Sequence, residues 1–284
     1  MKMHSNQPTV LANLRCPYCG VAVTRKTSTK EHVIARNFVP IPYIDRSWNL
    51  ILRACQPCNN VKSGLEDDIS AISMQPNAFG VHAVSDEKLL ADAARKARSR
   101  SRLTKKRVGE SAASSELAFQ IGANSNATIS LVAPPQVGRE RVFDLALYHL
   151  RAFFFLLTYN EQLRCGSPLP GVFMPLDCVR RDDWGNAIQA SFMNLTHAWP
   201  YRLVHPDVAN GFFKLAIRKH PTEFVWSWAL EWNQNFRVVG FFGQEEGAQI
   251  SAAMLPPGSH ITRIREEIAL DFNTDVMFGI PLAD

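Results

Sequence analysis

No run within the 284 residues reads as a membrane span. The most apolar stretch, 142–159, carries Asp144, His149 and Arg151, so it is expected as a core helix. The first fifteen residues hold no apolar segment followed by a small-residue cleavage site, and a cytoplasmic setting without membrane contact is the expectation. Glycine-rich phosphate loops are missing from 111–284, and no internal repeat is visible. His149, His197, His205 and His220 have no metal-like spacing and read as structural. Cysteine is scarce at six residues, and a reducing compartment argues against disulfides. Apolar residues make up 46% and charged residues 20%, an ordinary balance for a globular chain. The length suits one large domain or two smaller ones, with a core that needs no disulfide support.

The charge is uneven. Net charge is +5, but 88–107 alone carries nine bases against Asp92, leaving the rest of the chain at −3. Concentrated positive charge is what a chain touching a polyanion at one place carries. Two readings stay open for the Arg-Ser alternation near 98–102: a solvated linker, or an arm that contacts phosphates.

Four of the six cysteines form two tight pairs, Cys16-x-x-Cys19 and Cys55-x-x-Cys58, with 35 residues between them. Each C-x-x-C turn presents two soft ligands, and two such knuckles complete a closed tetrahedral zinc site. A closed site holds a fold and leaves no position open for chemistry. About 60 residues bury little core, so this region needs such a staple. The alternative is four unligated core thiols. Cys165 and Cys178 stand apart and read as buried thiols.

Pattern predicts an α+β chain. Short strands are expected at 21–23, 32–34 and 50–52, then a helix at 58–70 that Gly64 weakens. A helix is expected over 85–107, with Ser85 as its N-cap. A hairpin follows at 117–121 and 128–132, then an amphipathic helix over 139–163. Strand-like runs at 212–217, 223–232 and 236–242 suggest an antiparallel meander on helices. Asp182 and Asp183 read as a helix start before Trp184. The expected units are a zinc-stapled module at 1–80, a basic helical linker at 81–110, and a larger α+β domain at 111–284.

Between and just after the knuckles lie Glu31-His32-Val33-Ile34, Trp48-Asn49-Leu50 and Cys58-Asn59-Asn60-Val61-Lys62. In order and spacing this set resembles the HNH, or ββα-metal, endonuclease family, over about 14–66. The resemblance implies His32 as general base, activating water for attack on phosphorus. It implies Glu31 and Asn59 as ligands of one catalytic Mg²⁺ or Mn²⁺. Asn49 would brace the loop that carries the dyad, and Lys62 would pair with a phosphate. Two positions depart from the commoner pattern: Glu31 stands where Asp is usual, and Asn59 where His is. Neither removes a required group.

The implied function is hydrolysis of phosphodiester bonds, with double-stranded DNA as the expected partner. Arg95, Arg98, Arg100, Arg102, Lys105 and Lys106 would add salt-sensitive, sequence-independent phosphate contacts. Residues 111–284 would supply recognition, control or homo-oligomerisation. A role in restriction, phage defence or a mobile element follows by association alone. The competing readings are a catalytically silent zinc-bearing nucleic-acid-binding module and an effector nuclease gated through 111–284. Trp226, Trp228 and Trp232 share one strand parity and read as a core face before they read as base-stacking residues.

Overall fold

The N-terminal region builds a small three-stranded sheet around the two knuckles. In the computed structural model, which describes residues 7–45, 47–120, 126–254 and 275–279, β1 (Thr9–Val10) pairs parallel with β3 (Leu50–Cys55). Strand β2 (Ser28–His32) pairs antiparallel with the other edge of β3, from Ser28↔Cys55 to His32↔Ile51. The short helix α1 (Ile41–Ile44) lies in the connection, and α2 (Gln56–Ser73) starts at the residue after Cys55 with Pro57 in its first turn. A proline there costs nothing, because the first N–H groups of a helix have no internal partner. Strand β2 begins four residues before the expected position, and 21–23 forms only the bridge Arg15↔Ala22.

The basic segment differs from expectation. Helix α3 (Glu87–Lys96) is capped by Asp86, whose Oδ1 accepts from Lys88 and Leu89 N–H, and not by Ser85. It stops at Lys96 instead of running to 107. Residues 97–109 fold into a compact turn closed by Ser101 N–H on Lys106 O (2.8 Å), Val108 N–H on Ser99 O (2.8 Å) and Gly109 N–H on Ala97 O (2.9 Å). Fully buried Val108 supplies the apolar anchor that a reading of charge alone leaves out.

Strands β4 (Ala113–Gln120) and β5 (Asn126–Ala133) form the expected hairpin, in register Ala113↔Ala133. Its connection at 121–125 lies outside the described residues. Helix α4 (Arg139–Leu157) ends six residues before the expected limit. Strand β6 (Val172–Arg180) follows, then helix α5 (Ala187–Thr196), capped by Asn186 on Gln189 N–H. Asp182 and Asp183 sit in a 3₁₀ turn before Trp184, not in that helix. Strands β7 (Tyr201–Val208), β8 (Phe213–Lys219), β9 (Val225–Trp232) and β10 (Phe236–Gly243) make an antiparallel sheet in order β10-β9-β8-β7, and α6 (Glu245–Ala253) follows. Strand β6 runs against β10 so closely that a Cβ at Gly240 would lie 2.4 Å from Met174 O.

Every residue of β9 and β10 is buried, so both sheet faces are covered. Trp226, Trp228 and Trp232 face the core shared with α4, while Ala229, Val239 and Phe241 face α5 and α6. The first core is continuous from Leu11 to Phe242, so the expected boundaries at 80 and 110 do not interrupt it. The β9–β10 turn reaches into the N-terminal module. Asn233 Nδ2 donates to Phe38 O (3.1 Å) and Ser73 Oγ (2.7 Å), and Asn235 Nδ2 donates to Ser73 O (2.7 Å).

Two histidines lie in this shared core. His149 has no exposed surface and sits among Phe38, Phe153, Phe213 and Trp232, while His205 stacks on Trp48 at 3.8 Å. Burial lowers each imidazole to about 4. Both are therefore neutral in the folded protein, whereas the unfolded chain protonates them below about 6.5. Unfolding takes up protons in that window, so stability falls as pH drops from about 6.5 toward 4. The expected loss between pH 7 and pH 5 is about 2 kcal/mol for each ring, read from denaturant midpoints. His205→Phe should keep the stack and remove its share of the slope; an unchanged slope would refute the assignment.

Candidate metal centre and the strand face beside it

The four cysteines converge. Cys16, Cys19, Cys55 and Cys58 place their sulfurs within 4.8 Å of one another, and Cys19 Sγ lies 3.6 Å from Cys55 Sγ. A tetrahedral zinc with bonds of about 2.3 Å requires sulfurs about 3.8 Å apart. This donor set can hold one metal ion, and four thiolates suit zinc. Burial pushes the Cys16 thiol up to about 11, so a cluster of thiolates here calls for a cation to share the charge. The first knuckle is pinned to β3 by buried Asn13, which accepts from Arg53 N–H (2.8 Å) and donates to Arg53 O (2.8 Å). No spacing rule marks a lone Asn that bridges two backbones, so Asn13 is not legible in the sequence.

Strand alternation separates the Glu31-His32 pair. Successive side chains on a strand point to opposite faces. Glu31 is buried against α2, where its Oε1 lies 2.8 Å from Lys62 Nζ and accepts from Tyr18 Oη at 3.2 Å. Lys62 lies 2.7 Å from Glu66 Oε1, and Glu66 Oε1 lies 3.6 Å from His149 Nε2 on α4. Glu66 also accepts from Ala35 N–H at 3.1 Å. The Lys62 ammonium beside Glu66 holds that carboxyl below its ordinary range against the opposing effect of burial, while burial raises Glu31.

His32 sits half-buried at the end of β2 on the other face. Lys30 and its register partner Arg53 lie on that same face by alternation. Burial first, then Arg36, Lys30 and Lys62, lower the His32 imidazole below its ordinary value. It is neutral at neutral pH. Asn49 is buried and clamps the turn after β2: its Oδ1 accepts from Ile34 N–H (3.2 Å) and its Nδ2 donates to Ile34 O (2.8 Å).

The other expected site residues fall in several places. Lys62, expected to meet a phosphate, has no exposed surface and is paired to two carboxylates. Asn59 is half-buried in the first turn of α2, three residues before Lys62 and about 4.5 Å from it along the axis. Glu31 and Asn59 do not form an open cation site beside His32 in this arrangement, because Glu31 is engaged by Lys62 on the opposite strand face. Arg95 pairs with Asp92 at 2.9 Å. Arg98, Arg100, Arg102, Lys105 and Lys106 are exposed on or beside the compact turn. Sequence reasoning misses Glu66 and Tyr18, although the Lys62-Glu66 spacing of four is a readable helix pair.

Two outcomes follow. The purified chain should carry one zinc by elemental analysis, and Cys58→Ser or strong chelation should unfold the N-terminal module, seen as loss of amide protection on β3. Retention of full protection without metal would refute the staple. Lys62→Met should destabilise by about 3–5 kcal/mol, since it leaves Glu31 and Glu66 buried without a counter-charge. A change under about 1 kcal/mol would show that the pair is not held as described.

No family model, no curated protein and no solved structure matches this chain.

Proposed function

We propose that this protein is a phosphodiester hydrolase of the HNH type acting on DNA, with His32 as the general base. The observation that carries the reading is the outer face of the small sheet. It presents a neutral imidazole beside Lys30 and Arg53, on a strand whose following turn is clamped by Asn49. A neutral imidazole can take a proton from water as the oxygen attacks phosphorus. Two cations on the same face attract the phosphate and stabilise charge that grows on its oxygens. The bond to the 3′-oxygen then breaks and that oxygen takes a proton from solvent, leaving a 5′-phosphate and a 3′-hydroxyl.

Mg²⁺ or Mn²⁺ belongs to the proposal as the family's ion. Its uptake at Glu31 would require Lys62 to give up the carboxylate, so the chemistry assigned to this chain's residues is limited to base, brace and phosphate attraction. The engagement of Glu31 by Lys62 favours a second reading: a zinc-stapled module that binds nucleic acid without cleaving it.

Supercoiled plasmid incubated with the protein in Mg²⁺ or Mn²⁺, beside EDTA and His32→Ala, separates the two. The expected result is metal-dependent nicking or linearisation that falls 10²- to 10⁴-fold, on the order seen for a lost general base, in His32→Ala. Salt-dependent binding with no cleavage would favour the silent module. Cleavage that survives in His32→Ala would sink the assignment.

A further inference from the structure

Helices α2 and α4 flank an open cleft of about 580 Å³ on the side of α2 that faces α4. Its charged lining is Arg102 from the basic turn, Arg141 and Arg151 from α4, and Asp144; Tyr148 forms a wall. Arg141, Asp144, Tyr148 and Arg151 recur at spacings of three and four, which aligns them on one helix face. Arg141 is held in place: its Nε donates to Asp68 Oδ2 at 3.0 Å and its Nη2 to Gly64 O at 3.3 Å. The basic turn is tied to the same carboxylate, since Arg102 N–H donates to Asp68 Oδ1 at 3.2 Å.

Gly64 explains how the guanidinium groups come together. A glycine inside a helix costs roughly 1 kcal/mol relative to alanine. Here a Cβ would lie 2.8 Å from Arg102 Nη2. The residue that weakens the helix is therefore the residue that lets Arg102 lie against it, one turn beyond Asn60. Among the described residues no carboxylate lies within ion-pair distance of Arg102 or Arg151. Arg141 already has Asp68 as its partner, so Arg102 and Arg151 are the two guanidinium groups of the lining that an anion would meet. Planar, permanently charged guanidinium groups suit phosphate oxygens.

We infer that this cleft binds the sugar-phosphate backbone of a nucleic acid. A polymer fits better than a single phosphate ion because the charge does not stop at the cleft. Arg98, Arg100, Lys105 and Lys106 continue it along the exposed turn that delivers Arg102. Tyr148 offers an aromatic face of the kind on which bases stack. It is braced edge-on against Tyr18 of the first knuckle, with ring centres 4.9 Å apart. The assignment does not depend on His32, which strand alternation turns away from α2.

The test uses the 284-residue zinc-loaded chain with His32→Ala, so that binding is measured without turnover. A fluorescently labelled DNA duplex of about 20 base pairs is titrated across a range of salt. Arg102→Glu with Arg151→Glu should weaken binding at least tenfold and lower the salt slope by about 2, one for each phosphate that the pair neutralises in the parent. The neutral pair Arg102→Gln with Arg151→Gln should lie between the parent and the reversed pair, and Gly64→Ala should weaken binding with Arg102 still present. Arg202→Glu on β7, an equal change of charge per residue outside the cleft, should cost less than twofold. Millimolar inorganic phosphate should not displace the duplex. Parent-like binding by the reversed pair, an equal loss in Arg202→Glu, no binding by the parent, or displacement by free phosphate would each overturn the inference. Plasmid cleavage by the wild-type chain separates the two readings: cleavage with binding indifferent to the arginines removes the cleft alone, and cleft-dependent binding without cleavage removes the hydrolase alone.

Discussion

Lys62 is an ammonium with no exposed surface, and three elements meet on it. It joins Glu31 of β2 to Glu66 one turn further along α2, and Glu66 in turn lies against His149 of α4. A buried charge is tolerable only when paired, and leaving one partner behind costs far more than the pair contributes. The strand cannot slip along the helix without stranding a carboxylate. The helix cannot turn without stranding the lysine. One side chain therefore sets the register between β2 and α2, and it does so at the level where Glu66 also receives the backbone of Ala35. The loop that leads out of β2 is fixed by the same contact, and Asn49 fixes it again from β3.

The cysteine cluster and the aromatic core do different jobs around that pivot. The knuckles hold the end of the module where β3 passes into α2 and where few apolar residues are available. The opposite end has no staple and leans on the rest of the chain. Tyr43 stacks on Phe212 at 5.3 Å, Trp48 stacks on His205, and Asn233 closes over Phe38. A region of about 60 residues buries too little surface to stand by packing alone. Here a four-cysteine cluster able to hold a metal lies on one side and a borrowed core on the other. The C-terminal sheet is thus part of the module's stability, whatever else it does.

Much of this is legible in the sequence, and the exceptions have physical causes. The paired cysteines announce their convergence because C-x-x-C is a local geometry. The tryptophans of β9 announce the buried face because a period of two survives any fold. The brace made by Asn49 is suggested only by the resemblance, since an Asn before a Leu is by itself an ordinary turn or cap residue. The direction of Glu31 is not legible. Adjacency in a motif suggests a shared site, but adjacency on a strand means opposite faces, and only the pairing of Glu31 with Leu52 and of His32 with Ile51 decides which face each takes. The burial of Lys62 is not legible for a related reason. A lysine four residues before a glutamate reads as a solvated helix pair, and only the approach of β2 and α4 buries it. Strands β6 and β7 escape a pattern reading because their alternation is weak and their residues are mostly half-buried. The compact basic turn escapes it because a single buried valine, Val108, organises it.

The placement of charge within the fold sharpens what the total says. Among the described residues, six acids are buried, Glu31, Glu66, Asp68, Asp92, Asp177 and Glu231, against four bases, Lys62, Lys96, Arg218 and Arg237. The outside is therefore more positive than the net charge of +5 implies. Folding consumes carboxylates as internal partners and leaves arginines and lysines in solvent. Asp68 is one such case: it has almost no exposed side chain, yet it holds both Arg141 and the backbone of Arg102 at the lip of the cleft. A buried acid used in this way does not neutralise the surface so much as aim the bases that remain on it. Asp68 fixes the guanidinium of Arg141 directly and Arg102 through its backbone. A guanidinium held as that of Arg141 is loses less entropy on meeting any anion than one on a flexible basic tail.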